Sequence, residues 1–140
     1  MVDKISEEKR SWNMSRIRSK DTKPELIVRK YLFNKSIRYR LHNKDLPGKP
    51  DLSNKSKKFA IYVNGCFWHH HERCKDFVWP KSNDQVWKNK INKNVIRDKK
   101  NYKALEDNGW KVYIIWECEL KLNKRLLTLN NLYQNIVCLN

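Results

Sequence analysis

The run Val63-Asn64-Gly65-Cys66-Phe67-Trp68-His69-His70-His71-Glu72-Arg73-Cys74 constrains this chain more than any other stretch. An apolar segment, Phe59-Ala60-Ile61-Tyr62-Val63, leads into it and reads as a buried strand, because β-branched and aromatic side chains suit a pleated surface. Gly65 marks a sharp exit from that strand. Cys66, His71 and Cys74 then offer the sulfur and imidazole ligands that zinc prefers, and Cys118 downstream is a candidate fourth. His69 and His70 are left over, and a spare imidazole beside a metal-stapled loop suits acid–base chemistry. The spacing does not choose between His69 and His71 as the zinc ligand.

Charge narrows the partner. Lysine and arginine number 31 against 15 acidic residues, a formal net charge of +16 in 140 residues. Solubility needs far less, so the excess points to a polyanion. Nucleic acid is favoured over a membrane surface, because the basic residues are spread through the pattern and no long apolar span interrupts it. The charged Met1–Arg10 segment lacks the apolar core of a secretion signal, so an intracellular protein with reduced thiols is expected. Four cysteines in that setting suggest metal before disulfide, with Cys138 expected as a buried apolar residue.

Residues Met1 to about Lys20 read as a basic arm or short helix carrying Trp12, Met14 and Ile17. Thr22, Pro24 and Glu25 form a helix start of the capping-box type, with Leu26, Ile27, Tyr31 and Leu32 expected on the apolar face. Arg38–His42 reads as a weak strand, and Leu46-Pro47-Gly48-Lys49-Pro50 as a loop delivering Asp51 to the start of a β-hairpin. A long helix is expected from Asn83 or Asp84 to Gly109, with Val86, Ile91, Val95, Tyr102 and Leu105 along one side. Val112–Trp116 reads as a fully buried strand. The tail, with Leu122, Leu126, Leu129, Leu132, Ile136 and Val137, reads as a final helix. The order α-β-β-β-α-β-α predicts an α/β fold, a mixed sheet covered by helices.

Hydrolysis of a phosphodiester calls for a divalent ion and a group that activates water. Asp51 is a candidate hard ligand for magnesium, against the plainer reading of a turn aspartate capping its loop. For Glu25 the capping box is a sufficient local explanation. Phe67, Trp68 and Trp87 suit either a core or apolar wedges entering a base stack. Lys88 to Lys100, with Lys90 and Asn94, is a basic helix face that suits DNA or plain solvent.

Five segments resemble one family when taken together: Asn13-Met14-Ser15-Arg16-Ile17, Asp21-Thr22-Lys23-Pro24-Glu25, Leu46-Pro47-Gly48-Lys49-Pro50-Asp51, Gly65-Cys66-Phe67-Trp68-His69 and Trp116-Glu117-Cys118. Their order and spacing are similar to those of the very short patch repair (Vsr) endonucleases of bacteria. The resemblance implies a restriction-endonuclease-like sheet with a structural zinc, and magnesium-dependent nicking of one strand beside a T·G mismatch left by 5-methylcytosine deamination. It implies that Asp51 binds magnesium together with the backbone carbonyl of Val63, and that His69 is a general acid or base. Glu25 would act through water held by the metal, and Asp98 would be a further active-site acid. Cys66, His71, Cys74 and Cys118 match the zinc ligands, while Phe67, Trp68 and Trp87 match aromatics that wedge into DNA. Met14 matches the DNA-gripping arm, and Asn64, Lys90 and Asn94 are candidate DNA contacts.

Residues 1–20 are thus expected as the arm and 21–140 as a single endonuclease domain. The resemblance further implies a cytoplasmic, nucleoid-associated monomer, with mismatch-repair proteins as candidate partners and no membrane contact. Two positions depart from the family pattern: Val63-Asn64 stands where Thr-His is common, and Glu72-Arg73 adds a residue between His71 and Cys74. Two other functions compete. One is a restriction- or homing-type endonuclease cutting intact duplex on the same scaffold. The other is a zinc-stapled DNA binder with weakened catalysis, against which Glu25, Asp51, His69 and Asp98 together argue.

Overall fold

Alternation along one strand organises the body of the protein. The computed structural model describes residues 21–82 and 84–139, so the expected arm with Met14 and the Asn83 cap lie outside the described residues. Helix α1 (Lys23–Asn34) is followed by β1 (Arg40–Leu41), β2 (Leu52–Asn54), β3 (Phe59–Asn64), α2 (Asp84–Asp107) and β4 (Lys111–Trp116). A 3-10 turn, Glu117–Leu120, and helix α3 (Arg125–Val137) complete the order.

The strands lie side by side as β1-β2-β3-β4, the first three antiparallel and β4 parallel to β3. A parallel neighbour requires a crossover, which α2 provides. Phe59 and Ile61 of β3 pack with Val28 and Leu32 of α1 and Leu129, Leu132 and Ile136 of α3. Ala60 and Tyr62, pointing the other way, pack with Leu105 and Tyr102 of α2. Burial on both faces explains why β3 reads as an uninterrupted apolar run. This is the mixed sheet flanked by helices that the sequence predicts.

The helix ends follow local chemistry. Thr22 Oγ1 accepts from the Glu25 N–H at 3.4 Å, as an N-cap should. Glu25 does not return the bond to Thr22; its Oε2 accepts from the Asp21 N–H at 2.9 Å, and its side chain is buried. Gly109, at φ +84°, ends α2 and lets the Trp110 N–H donate to Leu105 O at 3.1 Å.

Burial is narrower than the apolar pattern. Leu26 and Val86 are exposed, because α1 turns Val28 inward and α2 meets the sheet through Tyr102 and Leu105 near its other end. Leu122 and Leu126 are exposed at 86% and 66%, and Val137 is also exposed. The tail's buried stripe is Leu129, Leu132 and Ile136. Strand β4 is not fully buried: it lies at the sheet edge and only Ile115 is enclosed. Cys138 is exposed at the C-cap of α3 rather than part of the core. The Arg38–His42 strand shortens to Arg40–Leu41, which pair with Ser53 and Leu52.

Candidate active site and metal cluster

Strand β3 outruns β2, and the unpaired end of β3 receives Asp51. The Val63 N–H donates to Asp51 Oδ2 at 2.6 Å. The preceding loop is pinned from two sides. Tyr62 donates its hydroxyl proton to Pro47 O, and Gly48 sits at φ +72° against Asn101 of α2. Glycine suits this left-handed position, where a Cβ would also lie 2.8 Å from Asn101 Nδ2. Asp51 is therefore held by backbone geometry, which is more than a loop cap requires.

Glu25 lies beside it. Burial first, and the neighbouring Glu25 second, push the Asp51 carboxyl up to about 8. Two carboxylates forced together in a half-dry site want a cation between them. Arg29 and His42 are the basic side chains against this pair. Arg29 Nη2 donates to Glu25 Oε2 at 3.1 Å and also bonds Asp21. His42 Nε2 lies 3.2 Å from Glu25 Oε2, and its Nδ1 lies 3.8 Å from Asp51 Oδ1.

His69 and Asp98 form a second pair. His69 Nδ1 and Asp98 Oδ2 are 2.5 Å apart, both largely buried, across 29 residues of sequence. A carboxylate there holds a proton on Nδ1 and leaves Nε2 available for transfer. The loop before it is steadied by Asn94 of α2, whose amide donates to Trp68 O at 3.0 Å. Asn94 also accepts from Arg97 at 3.1 Å, and one amide hydrogen and one oxygen lone pair remain for a further partner. Asn64 is 4% exposed and its amide donates to the Tyr102 hydroxyl at 2.9 Å, which places it behind the site.

Downstream, the loop folds on itself. The His69, His70 and His71 N–H groups donate to Gly65, Phe67 and Cys66 carbonyls, which turns His71 inward. His71 stacks flat on Trp116 at 4.2 Å. Its Nδ1 lies 3.3 Å from Cys118 Sγ and 3.6 Å from Cys66 Sγ. Zinc bonds of about 2.3 Å to sulfur and 2.0 Å to nitrogen at tetrahedral angles would separate S and N by about 3.5 Å. Cys74 joins the set, all four ligand atoms lying within 4.8 Å of one another. Arg73, at φ +58°, puts a left-handed turn between His71 and Cys74. Burial pushes the Cys66 and Cys118 thiols up, so thiolates there require a cation. The donor set fits zinc, and His69 faces Asp98 instead.

Phe67, Trp68 and Trp87 form one half-buried group. Ring centroids lie 5.2 Å apart for Phe67–Trp68, 5.6 Å for Phe67–Trp87 and 5.7 Å for Trp68–Trp87. Lys90 Nζ stands 5.2 Å over Trp68, placing a cation at the edge of the aromatic surface. Phe77 extends the group by stacking on Phe67.

The family model for DNA mismatch endonuclease Vsr matches residues 2–75, more than half of the chain. The chain belongs to the Vsr endonuclease family. It is 46% identical to the type II nicking enzyme V.NmeAIP of Neisseria meningitidis serogroup A, over 97% of each chain. It is 44% identical to the type II nicking enzyme V.XorIIP of Xanthomonas oryzae pv. oryzae, covering 86% of this chain and 88% of that one. Identity to DNA mismatch endonuclease Vsr of Escherichia coli is 36%, over 90% of this chain and 80% of its relative. As a member of the family the protein is a DNA endonuclease, and DNA is its substrate.

Sequence reasoning passed over several residues of this Vsr-family site: Arg29, His42, Tyr62 and Tyr102. Arg29 had a signal, since it follows Glu25 by one helical turn. His42 had none, because its partners lie on α1 and at the start of β2. Among the described residues no helix is long and apolar enough to cross a membrane.

Proposed function

We propose that this Vsr-family enzyme nicks one strand of duplex DNA beside a T·G mismatch, the lesion left by deamination of 5-methylcytosine. The observation that carries the reading is the division of labour in the site. A carboxylate pair, Asp51 and Glu25, is strained by burial, and a separate His69–Asp98 pair is arranged for proton transfer. A pure DNA binder has no use for either.

Asp51 and the Val63 backbone fit magnesium, because the raised Asp51 carboxyl becomes a carboxylate readily only beside a cation. When bound, magnesium supplies positive charge to the scissile phosphate. Asp51, locked by Val63, binds the ion. Glu25, with Oε1 free of nitrogen donors among the described residues, orients the attacking water. The water oxygen attacks phosphorus and a P–O bond breaks. As a base, His69 Nε2 takes the proton that water sheds and solvent protonates the leaving oxygen; as an acid, it protonates the leaving oxygen and the water proton passes to solvent; in both cases Asp98 holds Nδ1. Cys66, His71, Cys74 and Cys118 hold a zinc whose role is to join the loop to the end of β4. Phe67, Trp68 and Trp87 enter the stack at the mismatch, where unpairing costs least, and Lys90 neutralises a nearby phosphate. Met14 and the arm over residues 1–20 grip the duplex from outside the described region.

A second reading has a specific support: the relatives at 46% and 44% identity carry the name type II nicking enzyme. On it, recognition is of a sequence, with or without a mismatch. A nicking assay separates the two. Matched and T·G duplexes of the same sequence are compared with magnesium and with a chelator. Preference for T·G and a need for magnesium are expected, and equal cutting of both duplexes overturns the mismatch reading.

A further inference from the structure

His42 stands between the two acidic residues of the site and belongs to neither motif. Its backbone is in the left-handed region, φ +47°, a conformation that histidine and asparagine tolerate better than most residues. Its N–H donates to Asp51 O at 3.1 Å, so the turn that ends β1 is fastened to the residue that binds the metal on the reading above. Its ring, on the side of the carboxylates, places Nε2 3.2 Å from Glu25 Oε2 and Nδ1 3.8 Å from Asp51 Oδ1. Arg29 Nη2 approaches Nε2 at 3.0 Å, and Asp21 Oδ1 lies 3.4 Å from it. The groups facing the ring are therefore Asp21, Glu25 and Arg29 from the α1 side and Asp51 from just before β2.

Contacts on Glu25 are one-sided. The Asp21 N–H, Arg29 and His42 all converge on Oε2. Arg29 and Asp21 alone would draw the carboxylate toward the start of α1, away from Asp51. Asp51 itself bonds Glu25, and the ring of His42, touching Glu25 while facing Asp51, is the second contact that opposes this. Strained backbone kept at such a point is typical of functional sites.

We propose that His42 is a positioning residue for hydrolysis, its ring bridging Glu25 to Asp51 and setting the spacing at which the two carboxylates meet a divalent cation. This rests on the reading of Asp51 and Glu25 as the acidic half of the active site. Groups in this supporting role typically change metal affinity or activity by about 10- to 100-fold when removed.

Three proteins test it: wild type, His42→Asn and His42→Gln. Asparagine keeps a residue at ease with positive φ but is too short to bridge; glutamine keeps the reach and a polar end. Thermal melts of zinc-loaded protein without DNA, titrated with magnesium chloride, report metal binding independently of activity. Single-turnover nicking against magnesium concentration and DNA affinity in calcium complete the set. In His42→Asn the magnesium midpoint of both titrations should rise about tenfold and the maximal rate should fall about 10- to 100-fold, with zinc content and DNA affinity unchanged. His42→Gln should recover much of the loss. A wild-type magnesium response in His42→Asn overturns the proposal. Equal losses in both variants, with a lowered melting temperature before magnesium is added, overturn it in favour of a structural role. Failure of the underlying reading shows elsewhere, as wild-type protein that neither nicks with magnesium nor is stabilised by it, and that result also removes the proposal.

Discussion

His69 Nδ1 and Asp98 Oδ2 stand 2.5 Å apart, joining the Cys66–Cys74 loop to the middle of α2. Two positions further on, His71 turns the other way and places its Nδ1 between Cys66 and Cys118. The two histidines therefore predict opposite losses. His69→Ala should lower single-turnover nicking by about 10²- to 10⁴-fold while keeping zinc and fold. Asp98→Asn should do nearly as much, since an amide no longer enforces the tautomer. His71→Ala should lose zinc and melt early, with inactivity as a consequence. Elemental analysis, melts and nicking on the three variants check this, and zinc loss from His69→Ala would invert the assignment.

Asp51 predicts a pH dependence. Its folded carboxyl sits near 8 against an ordinary 3.8, through burial and then Glu25. An acid raised in this way favours the fold fully below 3.8, and that contribution is lost as pH rises to about 8. Magnesium-free protein should therefore lose melting temperature between about pH 5 and pH 8, and magnesium should restore it most at the upper end. Asp51→Asn should flatten the profile, bind DNA at least as well as wild type, and lose nicking by orders of magnitude. Melts at the two pH values with and without magnesium are the measurement, and a flat wild-type profile contradicts it.

Cysteine substitutions should divide by position. Cys118→Ser removes a buried ligand from the set that joins the 3-10 turn to the loop, so metal should be released and stability fall. Cys138→Ser, at an exposed position, should change melting by less than about 0.5 kcal/mol. Protein purified without chelator should carry about one zinc per chain. Its absence there would remove the structural-zinc reading.

DNA binding should weaken steeply with salt, because 31 basic residues against 15 acidic ones act through counterion release. Phe67→Ala and Trp68→Ala should leave that salt slope nearly unchanged and reduce preference for T·G over matched duplex. Lys90→Ala should do the reverse, lowering the slope by about one phosphate contact. Competition binding across a salt series distinguishes these. Unchanged T·G preference in both aromatic variants would return Phe67 and Trp68 to the role of packing.

Features written in neighbouring residues were legible from the sequence alone. Phe59–Asn64 declared its strand through β-branched and aromatic residues, Thr22 and Pro24 declared a helix start, and the Cys66–Cys74 loop with Cys118 declared its donor set. The resemblance added roles for Glu25 and Asp98 that no local rule supplies. Other features waited on the tertiary structure because they depend on groups far apart in the chain. A capping box accounts for Glu25 until the sheet brings Asp51 against it. His69 and His71 are equivalent by spacing until α2 places Asp98 beside one and the 3-10 turn places Cys118 beside the other. His42 acquires its partners only when the end of β1 docks between α1 and Asp51. The depth of β4, the exposure of Cys138 and the inward stripe of α3 were decided in the same way. Hydrophobic periodicity says which side of an element is apolar, but only packing decides which apolar residues leave water.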